Sequence, residues 1–167
     1  MNLPSFETQT LRSKKAVGDP YLQLQINSQT QVALPMNMTQ EVLITSASRL
    51  TIMPNMPPCL LGLLNQRSRI FWVIDLALLL GLQPLGLELQ QYSIAIIRSR
   101  NNALGLAVEA VKGVIRFPKE VIQSPIGTVE PELTPYLQGC IAQERQILLI
   151  LSPEAILNAP ILQHNLS

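Results

Sequence analysis

Residues 57–81 read PPCLLGLLNQRSRIFWVIDLALLLG, and this stretch decides which fold the sequence predicts. Two apolar runs flank the polar segment at residues 65–69, as expected of a turn between two packed strands. The second run, residues 70–74 (IFWVI), is β-branched and aromatic without a polar break, which predicts a strand buried on both faces. The stretch therefore predicts a β-hairpin whose second strand belongs to a core.

Asp75 follows this strand and is predicted to start a short helix. Its carboxylate can accept hydrogen bonds from backbone N–H groups of the next turn, so residues 76–80 (LALLL) are predicted to be helical with Asp75 as the N-cap. Gly81 can adopt the left-handed conformation that often ends a helix. This position favours a capping role for Asp75 over a catalytic one.

Short strands separated by turn signals continue on both sides of this stretch. Residues 21–26 alternate apolar and polar side chains, which predicts a strand with one wet face, and residues 30–35 return as its hairpin partner. Residues 38–44 fit either a helix or an extended segment, and the extended interpretation is favoured. Many short strands of this kind are typical of small antiparallel barrels rather than of a layered α/β domain.

The second half of the chain follows a similar order of elements. Residues 92–97 and 104–108 predict another hairpin, and residues 146–151 predict another buried strand. Ser152 then caps a last helix, which Pro160 is expected to end. The two halves therefore hint at an internal pseudo-repeat, with the likeness in pattern rather than in residues.

The composition bounds the size and the class of the protein. The chain has 167 residues, of which 47% are hydrophobic and 14% are charged. This length suits one substantial domain or two small barrels that share a core, and the apolar excess indicates a surface that meets a partner. The net charge is +1 and no window combines clustered Lys and Arg with aromatic residues, so no nucleic-acid binding is predicted.

The sequence predicts a cytoplasmic protein without membrane insertion. The longest apolar run, residues 70–82, is too short to cross a bilayer and contains the charge of Asp75. Residues 1–19 are predicted to be a flexible leader without the apolar core of a signal peptide, residues 20–160 the folded domain, and residues 161–167 a C-terminal tail.

No arrangement of residues in the sequence is typical of an enzyme. The single histidine, His164, lies in the predicted tail, and Cys59 and Cys140 are too far apart for a metal or redox motif, which favours inert thiols. Glu130 and Glu132 form an acidic pair in a Pro-rich loop, where carboxylates are ordinarily solvated. Neither a catalytic residue nor a cofactor or metal site is predicted, and a hydrolase remains a distant alternative.

Arg67 is the first candidate for binding a partner. Its planar guanidinium can hold a carboxylate or backbone carbonyls through two hydrogen bonds, which suits either an interface or a structural clamp between barrels. Asn65 is favoured as a turn former, because its side chain can bond to its own backbone. Trp72 is favoured as a core residue of its strand.

The spacing of five residues resembles the signature of the chemotaxis coupling-protein (CheW-like) family. The pattern G-x-x-N-L-R-G-x-x-x-P-x-x-D-L is matched at Gly62, Asn65, Arg67, Asp75 and Leu76. The chain departs from it where Gln66 replaces leucine, Ser68 replaces glycine and Trp72 replaces proline. The resemblance extends from about residue 21 to about residue 159.

This resemblance implies a mainly β fold, with two small SH3-like antiparallel β-barrels packed together and accompanied by short helices. It implies a non-catalytic adaptor that links a CheA-like histidine kinase to the signalling tip of methyl-accepting chemoreceptors, and so an indirect association with a membrane-bound receptor array. Glu41, which alone would be interpreted as a solvated charge, matches a glutamate of the family implicated in receptor contact. Asn65 and Arg67 match the region where partners are engaged.

Trp72 and the continuation DLALLLGL at residues 75–82 resemble the coupling proteins of type IV pilus-driven surface motility, including phototaxis, more than those of flagellar systems. A second hypothesis stays open beside the adaptor. In a small-ligand-binding β-barrel, the apolar excess would line a cavity instead of an interface.

Overall fold

The computed structural model describes residues 17–86 and 89–166, with side-chain surroundings up to Gln163. Most of the predicted leader therefore lies outside the described residues. Within them the chain forms ten strands, three helices and four 3₁₀ turns. The strands are β1 Asp19–Asn27, β2 Thr30–Pro35, β3 Thr39–Ser46, β4 Leu60–Gln66, β5 Arg69–Asp75, β6 Gln91–Ser99, β7 Asn102–Val108, β8 Ala110–Phe117, β9 Leu137–Ala142 and β10 Ile147–Leu151.

The helices are short and lie between or after strands. They are α1 Leu76–Leu79, α2 Pro153–Leu157 and α3 Pro160–Leu166, and the 3₁₀ turns are Met36–Met38, Ala47–Arg49, Lys119–Val121 and Thr134–Tyr136. Among the residues that the structure describes, no helix has the length and apolar character needed to cross a bilayer.

The strands form two curled five-stranded sheets, as the predicted pair of SH3-like barrels requires. Barrel A has the strand order β8-β1-β2-β10-β9, and barrel B has the order β3-β6-β7-β5-β4. Each sheet contains one parallel pairing, β10 with β2 in barrel A and β5 with β7 in barrel B. The prediction of antiparallel barrels is confirmed apart from these two pairings. They join strands that no hairpin connects, so no tight turn dictates their direction.

The two halves of the chain have the same topology and interlock. Strands β1–β5 with α1 form one half, and β6–β10 with α2 form the other. Each barrel combines the first hairpin of one half with the last three strands of the other half. The internal repeat hinted at by the sequence is therefore present as a pseudo-two-fold exchange of strands.

Each barrel is closed by a short antiparallel bridge at an equivalent position. Thr51 pairs with Leu63 in barrel B, and Gln123 pairs with Cys140 in barrel A. A glycine precedes the bridged residue in both cases. A Cβ atom on Gly62 would lie 2.6 Å from the Thr51 carbonyl oxygen, and one on Gly139 would lie 2.6 Å from the Gln123 carbonyl oxygen. Only glycine allows the two backbones to approach so closely.

Among the described residues, three apolar clusters hold the fold together. The largest lies between the barrels and joins β1 residues such as Leu24 and Ile26 to barrel B residues such as Ile97 and Leu106. The two smaller clusters fill the barrel interiors. Barrel B contains Leu64, Phe71, Val73, Ile94, Ile96 and Ala107, and barrel A contains Tyr21, Ala33, Leu148 and Ile150.

The polar face of β1 is partly buried instead of wet. Gln23 donates a hydrogen bond to Gln31, and Gln31 donates one to Gln25 at 2.9 Å. These three side chains are partly buried on the interior side of barrel A, where their mutual hydrogen bonds replace those to water. The period-two pattern thus predicted the strand correctly, but the polar face turns toward a small barrel rather than toward solvent.

β5 is the predicted buried strand, with one exception at its start. Phe71, Val73 and Ile74 are buried, and Trp72 packs against the inter-barrel cluster as predicted for a core residue. Ile70 is 67% exposed. The pairing of β5 with β7 begins only at Val73, so the first residues of β5 extend beyond the sheet on that side.

Asp75 caps α1 as predicted and has a second role. Its Oδ1 atom accepts a hydrogen bond from the Leu78 N–H at 3.2 Å, and its Oδ2 atom accepts one from the Leu85 N–H at 2.9 Å. The carboxylate is 3% exposed. It therefore anchors the connection between the two halves as well as the helix.

The C-terminal end differs from the prediction. Ser152 caps α2 through a hydrogen bond from the Ala155 N–H at 3.3 Å, as expected. Pro160 does not lead into an unstructured tail but opens α3, where its fixed φ suits the first helical turn. His164 lies in this helix, and its side chain is outside the described part of the structure.

Replacement of Asp75 by alanine is expected to lower the free energy of unfolding by about 2–4 kcal/mol, because the N–H groups of Leu78 and Leu85 both lose their acceptor. Urea denaturation followed by circular dichroism measures the change. Ser152→Ala is the matched control, since it removes a cap with one hydrogen bond and should cost about 1 kcal/mol. Equal losses in the two variants would contradict the double role of Asp75.

Candidate functional site

The β4–β5 hairpin carries Arg67 at its turn. The end of barrel B that holds this turn is the hairpin end. Its turn consists of Arg67 and Ser68, whose φ angles are 52° and 66°. Two successive left-handed residues are typical of the tight hairpin turns that match the twist of the strands. Asn65 is not the turn former that the sequence favoured, because it lies within β4 opposite Ile70.

Arg67 meets Glu41 at the hairpin end, although the two are distant in sequence. The Arg67 Nη2 atom lies 3.7 Å from the Glu41 Oε2 atom, and the Gln66 Nε2 atom donates to the same oxygen at 3.4 Å. The Glu41 side chain is 19% exposed and that of Arg67 is 79% exposed. The carboxylate is thus held by the barrel, while most of the guanidinium faces solvent.

This ion pair contributes little to stability. Exposed pairs are screened by water and gain about 0–1 kcal/mol, because ordering two long side chains offsets much of the attraction. A pair that contributes so little to folding is available for recognition, since a partner can engage Arg67 without unfolding the barrel.

Asn65 joins this arrangement through its backbone. Its carbonyl oxygen accepts a hydrogen bond from the Arg49 Nη2 atom at 3.0 Å. The structure therefore brings all three predicted residues, Glu41, Asn65 and Arg67, to one side of barrel B. It adds Arg49 and Gln66, which the sequence analysis did not identify as site residues.

A local signal existed for only one of these two additions. Gln66 stands where the family signature has leucine, and this departure could have been interpreted as a polar contact. Arg49 gave no such signal, because its contact depends on how the barrel closes. The residue follows β3 in the 3₁₀ turn Ala47–Arg49, far in sequence from its acceptor on β4.

Apolar side chains are exposed on β3, on the face of the strand opposite the one that carries Glu41. Val42 and Ile44, which point outward from β3, are 41% and 70% exposed. β3 is the terminal strand of its sheet, and terminal strands with exposed apolar side chains are suited to being covered by another protein. Arg49, Arg67 and Arg69 are also exposed, so barrel B presents both apolar and cationic side chains to solvent.

The thiols and carboxylates considered for catalysis are not arranged for it. Cys59 and Cys140 are both buried, and burial raises the pKa of the Cys59 thiol, which favours the unreactive protonated form. Glu130 and Glu132 are exposed in a loop. Within the described residues, no group of three or more His, Cys, Asp and Glu side chains could hold a metal ion.

Side chains occupy the interiors of both barrels. Apolar clusters lie inside each barrel, and barrel A also holds the glutamine side chains of β1 and β2, whereas the ligand-binding alternative requires a cavity there. An open groove of about 610 Å³ is lined by the start of β1, the 3₁₀ turn Met36–Met38 and the start of α2. This distribution favours protein surfaces over an enclosed ligand site.

Comparisons with known proteins agree with this architecture. The probable chemotaxis protein CheW of Rhizobium etli is 29% identical over 107 residues, which cover 64% of this chain and 68% of that protein. Protein PilI of Pseudomonas aeruginosa is 29% identical over 122 residues, which cover 73% of this chain and 66% of PilI.

The fold matches a solved structure, the scaffolding protein TtCheW from Thermoanaerobacter tengcongensis. The TM-score is 0.69 at 23% sequence identity, with 81% of this chain and 90% of that chain covered. The sequence model of the CheW-like domain matches residues 20–160. Because this match spans both barrels, from β1 to the start of α3, the chain belongs to the CheW-like domain family, as its Asn65, Arg67 and Asp75 pattern predicted.

Proposed function

We propose that this CheW-like protein couples a CheA-like histidine kinase to the signalling tip of methyl-accepting chemoreceptors. Its family is one of non-catalytic scaffold proteins of chemotaxis, which need no reaction centre. The single observation that carries the proposal is the Glu41–Arg67 pair at the hairpin end, where Arg67 is 79% exposed next to the apolar terminal strand β3.

Arg67 would bind its partner in one of two ways. It would either leave Glu41 and turn to the partner, or keep the contact with Glu41 and use its remaining donors. A guanidinium presents five donors in a planar fork, and one contact with the Glu41 carboxylate uses few of them. A carboxylate or a row of backbone carbonyls on the partner could therefore be held at the same time. Gln66 also donates to Glu41, so the carboxylate keeps a hydrogen bond if Arg67 turns toward the partner.

Val42 and Ile44 would supply the apolar part of the same interface. Val42 and Ile44 are already partly buried, so covering the remainder contributes at most about 1.5–3 kcal/mol each, whereas the charged groups mainly determine orientation and specificity. The exposed arginines of barrel B, Arg49, Arg67 and Arg69, favour a partner that presents acidic residues.

The receptor and the kinase would occupy different surfaces of one rigid body. The inter-barrel cluster joins the barrels, so a partner held on one barrel has a defined position relative to a partner on the other. The groove beside Met36 and Met38 is a candidate surface for the helical tip of a receptor, since methionine adapts to varied apolar shapes. Receptor state would then bias the kinase through differences in binding free energy.

The similarity to Protein PilI, together with Trp72 and the DLALLLGL continuation at residues 75–82, supports a role in pilus-driven motility or phototaxis. In such a system the protein would join a membrane-bound receptor array through its partners. Deleting the gene and scoring surface motility and swimming separately would test this subtype, because loss of swimming alone would contradict it.

Arg67→Ala is expected to weaken binding to the kinase or the receptor tip about tenfold, because a charge-assisted contact is lost. Isothermal titration calorimetry with each purified partner measures the effect. Arg145→Ala is the matched control, since Arg145 is an exposed arginine between β9 and β10, the hairpin of barrel A equivalent to β4–β5. The adaptor proposal is wrong if the wild-type protein binds neither partner.

Ile44→Ser is expected to weaken the same binding about tenfold while changing the free energy of unfolding by less than about 0.5 kcal/mol, because Ile44 is 70% exposed. Calorimetry and urea denaturation give the two quantities. Ile126→Ser provides the control, since Ile126 is 77% exposed in a loop of the other barrel. An equal effect of both variants would argue against β3 as the binding surface.

A further inference from the structure

Barrel B is closed along a seam between β4 and the chain segment that follows β3. At the bridge, the Thr51 N–H donates to the Leu63 carbonyl at 2.8 Å, and the Leu63 N–H donates to the Thr51 carbonyl at 2.9 Å. In an antiparallel pair, the residue two positions before Thr51 stands opposite the residue two positions after Leu63. Arg49 is therefore the register partner of Asn65.

The backbone does not complete the ladder at this position. In a regular antiparallel pair, the N–H of residue 49 would donate to the carbonyl of Asn65. The chain instead forms the 3₁₀ turn Ala47–Arg49 there, and among the described backbone hydrogen bonds none runs from the Arg49 N–H to the Asn65 carbonyl. The Arg49 side chain donates to that carbonyl at 3.0 Å, so its guanidinium replaces the missing ladder hydrogen bond.

This contact lies between the closing bridge and the candidate site. Beyond Asn65, the next contacts across the seam are those of Gln66 and Arg67 with Glu41. The Arg67 pair is long, at 3.7 Å, and largely exposed, so it holds the hairpin weakly by itself. Arg49 is thus placed to hold β4 against barrel B immediately before the turn.

Barrel A offers an internal comparison, because its seam has the same layout. The 3₁₀ turn Lys119–Val121 precedes Gln123, just as Ala47–Arg49 precedes Thr51, and Gln123 bridges to Cys140 on β9. The residue equivalent to Arg49 is Val121, whose side chain has no donor. Of the two barrels, only barrel B, which carries Glu41 and Arg67, has a side chain at this position that can replace the ladder hydrogen bond.

We propose that Arg49 is a positioning residue for partner binding. By donating to the Asn65 carbonyl, it holds the β4–β5 hairpin so that Arg67 stays next to Glu41 and faces a partner in a fixed orientation. This inference rests on the proposed adaptor function, but the positioning itself can be observed without a partner.

The first test is a double-mutant cycle on affinity for the purified kinase or receptor tip. Arg49→Ala is expected to weaken binding about fivefold in the wild-type background and not at all in the Arg67→Ala background, because it acts through Arg67. Arg49→Lys should recover most of the affinity, since an ammonium group can still donate to a carbonyl. Arg116→Ala is the control, because Arg116 also donates to a backbone carbonyl, that of Gly18, but in barrel A.

The second test is NMR relaxation of the free full-length protein. Arg49→Ala is expected to reduce the order parameters of the Arg67 and Ser68 amides from about 0.85 to below about 0.7, while Arg116→Ala leaves them unchanged. Unchanged order parameters would overturn the inference, as would an equal loss of affinity in both backgrounds of the cycle. If the wild-type protein binds neither partner, the adaptor proposal fails and the relaxation data alone decide whether Arg49 positions the hairpin.

Discussion

The apolar cluster between the barrels is the interaction on which the rest of the structure depends. Each barrel takes its strands from both halves of the chain, so neither half can bury its own apolar faces alone. Leu24 and Ile26 on one side and Ile97 and Leu106 on the other are fully buried only when the barrels meet. The two barrel interiors contain smaller clusters and provide less apolar burial. The two barrels are therefore joined through one shared apolar core.

The contacts of the candidate site on barrel B result from the way a small barrel closes. A curled five-stranded sheet leaves a seam between its terminal strands, and the backbone completes only part of the ladder there. Side chains complete the remainder in barrel B, through Arg49, Gln66 and Arg67. Polar and charged groups thus gather along this seam, and the terminal strand β3 adds the exposed apolar residues Val42 and Ile44. A non-catalytic scaffold needs this kind of surface, because it acts by holding proteins and not by transforming a substrate.

Local features of the structure could be predicted from the sequence, and features that depend on barrel closure could not. The β4–β5 hairpin, the buried centre of β5 and the Asp75 cap are each determined by neighbouring residues. Arg67 was a candidate through its own chemistry and Glu41 through the family resemblance, but their contact depends on the curvature of the sheet. The parallel pairings, the exposure of Ile70 and the bond from Arg49 to Asn65 depend on register between strands that are distant in the chain. Propensity and periodicity carry no information about that register.

The strand order also sets a sequence of events for folding. Barrel B uses β3 to β7, which are consecutive in the chain, whereas barrel A joins β1 and β2 to β8, β9 and β10. Barrel B is therefore inserted within barrel A, and the chain must close a far longer loop to complete the outer barrel than the inner one. Loop closure of that kind slows folding, so the inner barrel is expected to form first during synthesis. Barrel B, which carries Glu41 and Arg67, would then be the template on which the strands of barrel A assemble.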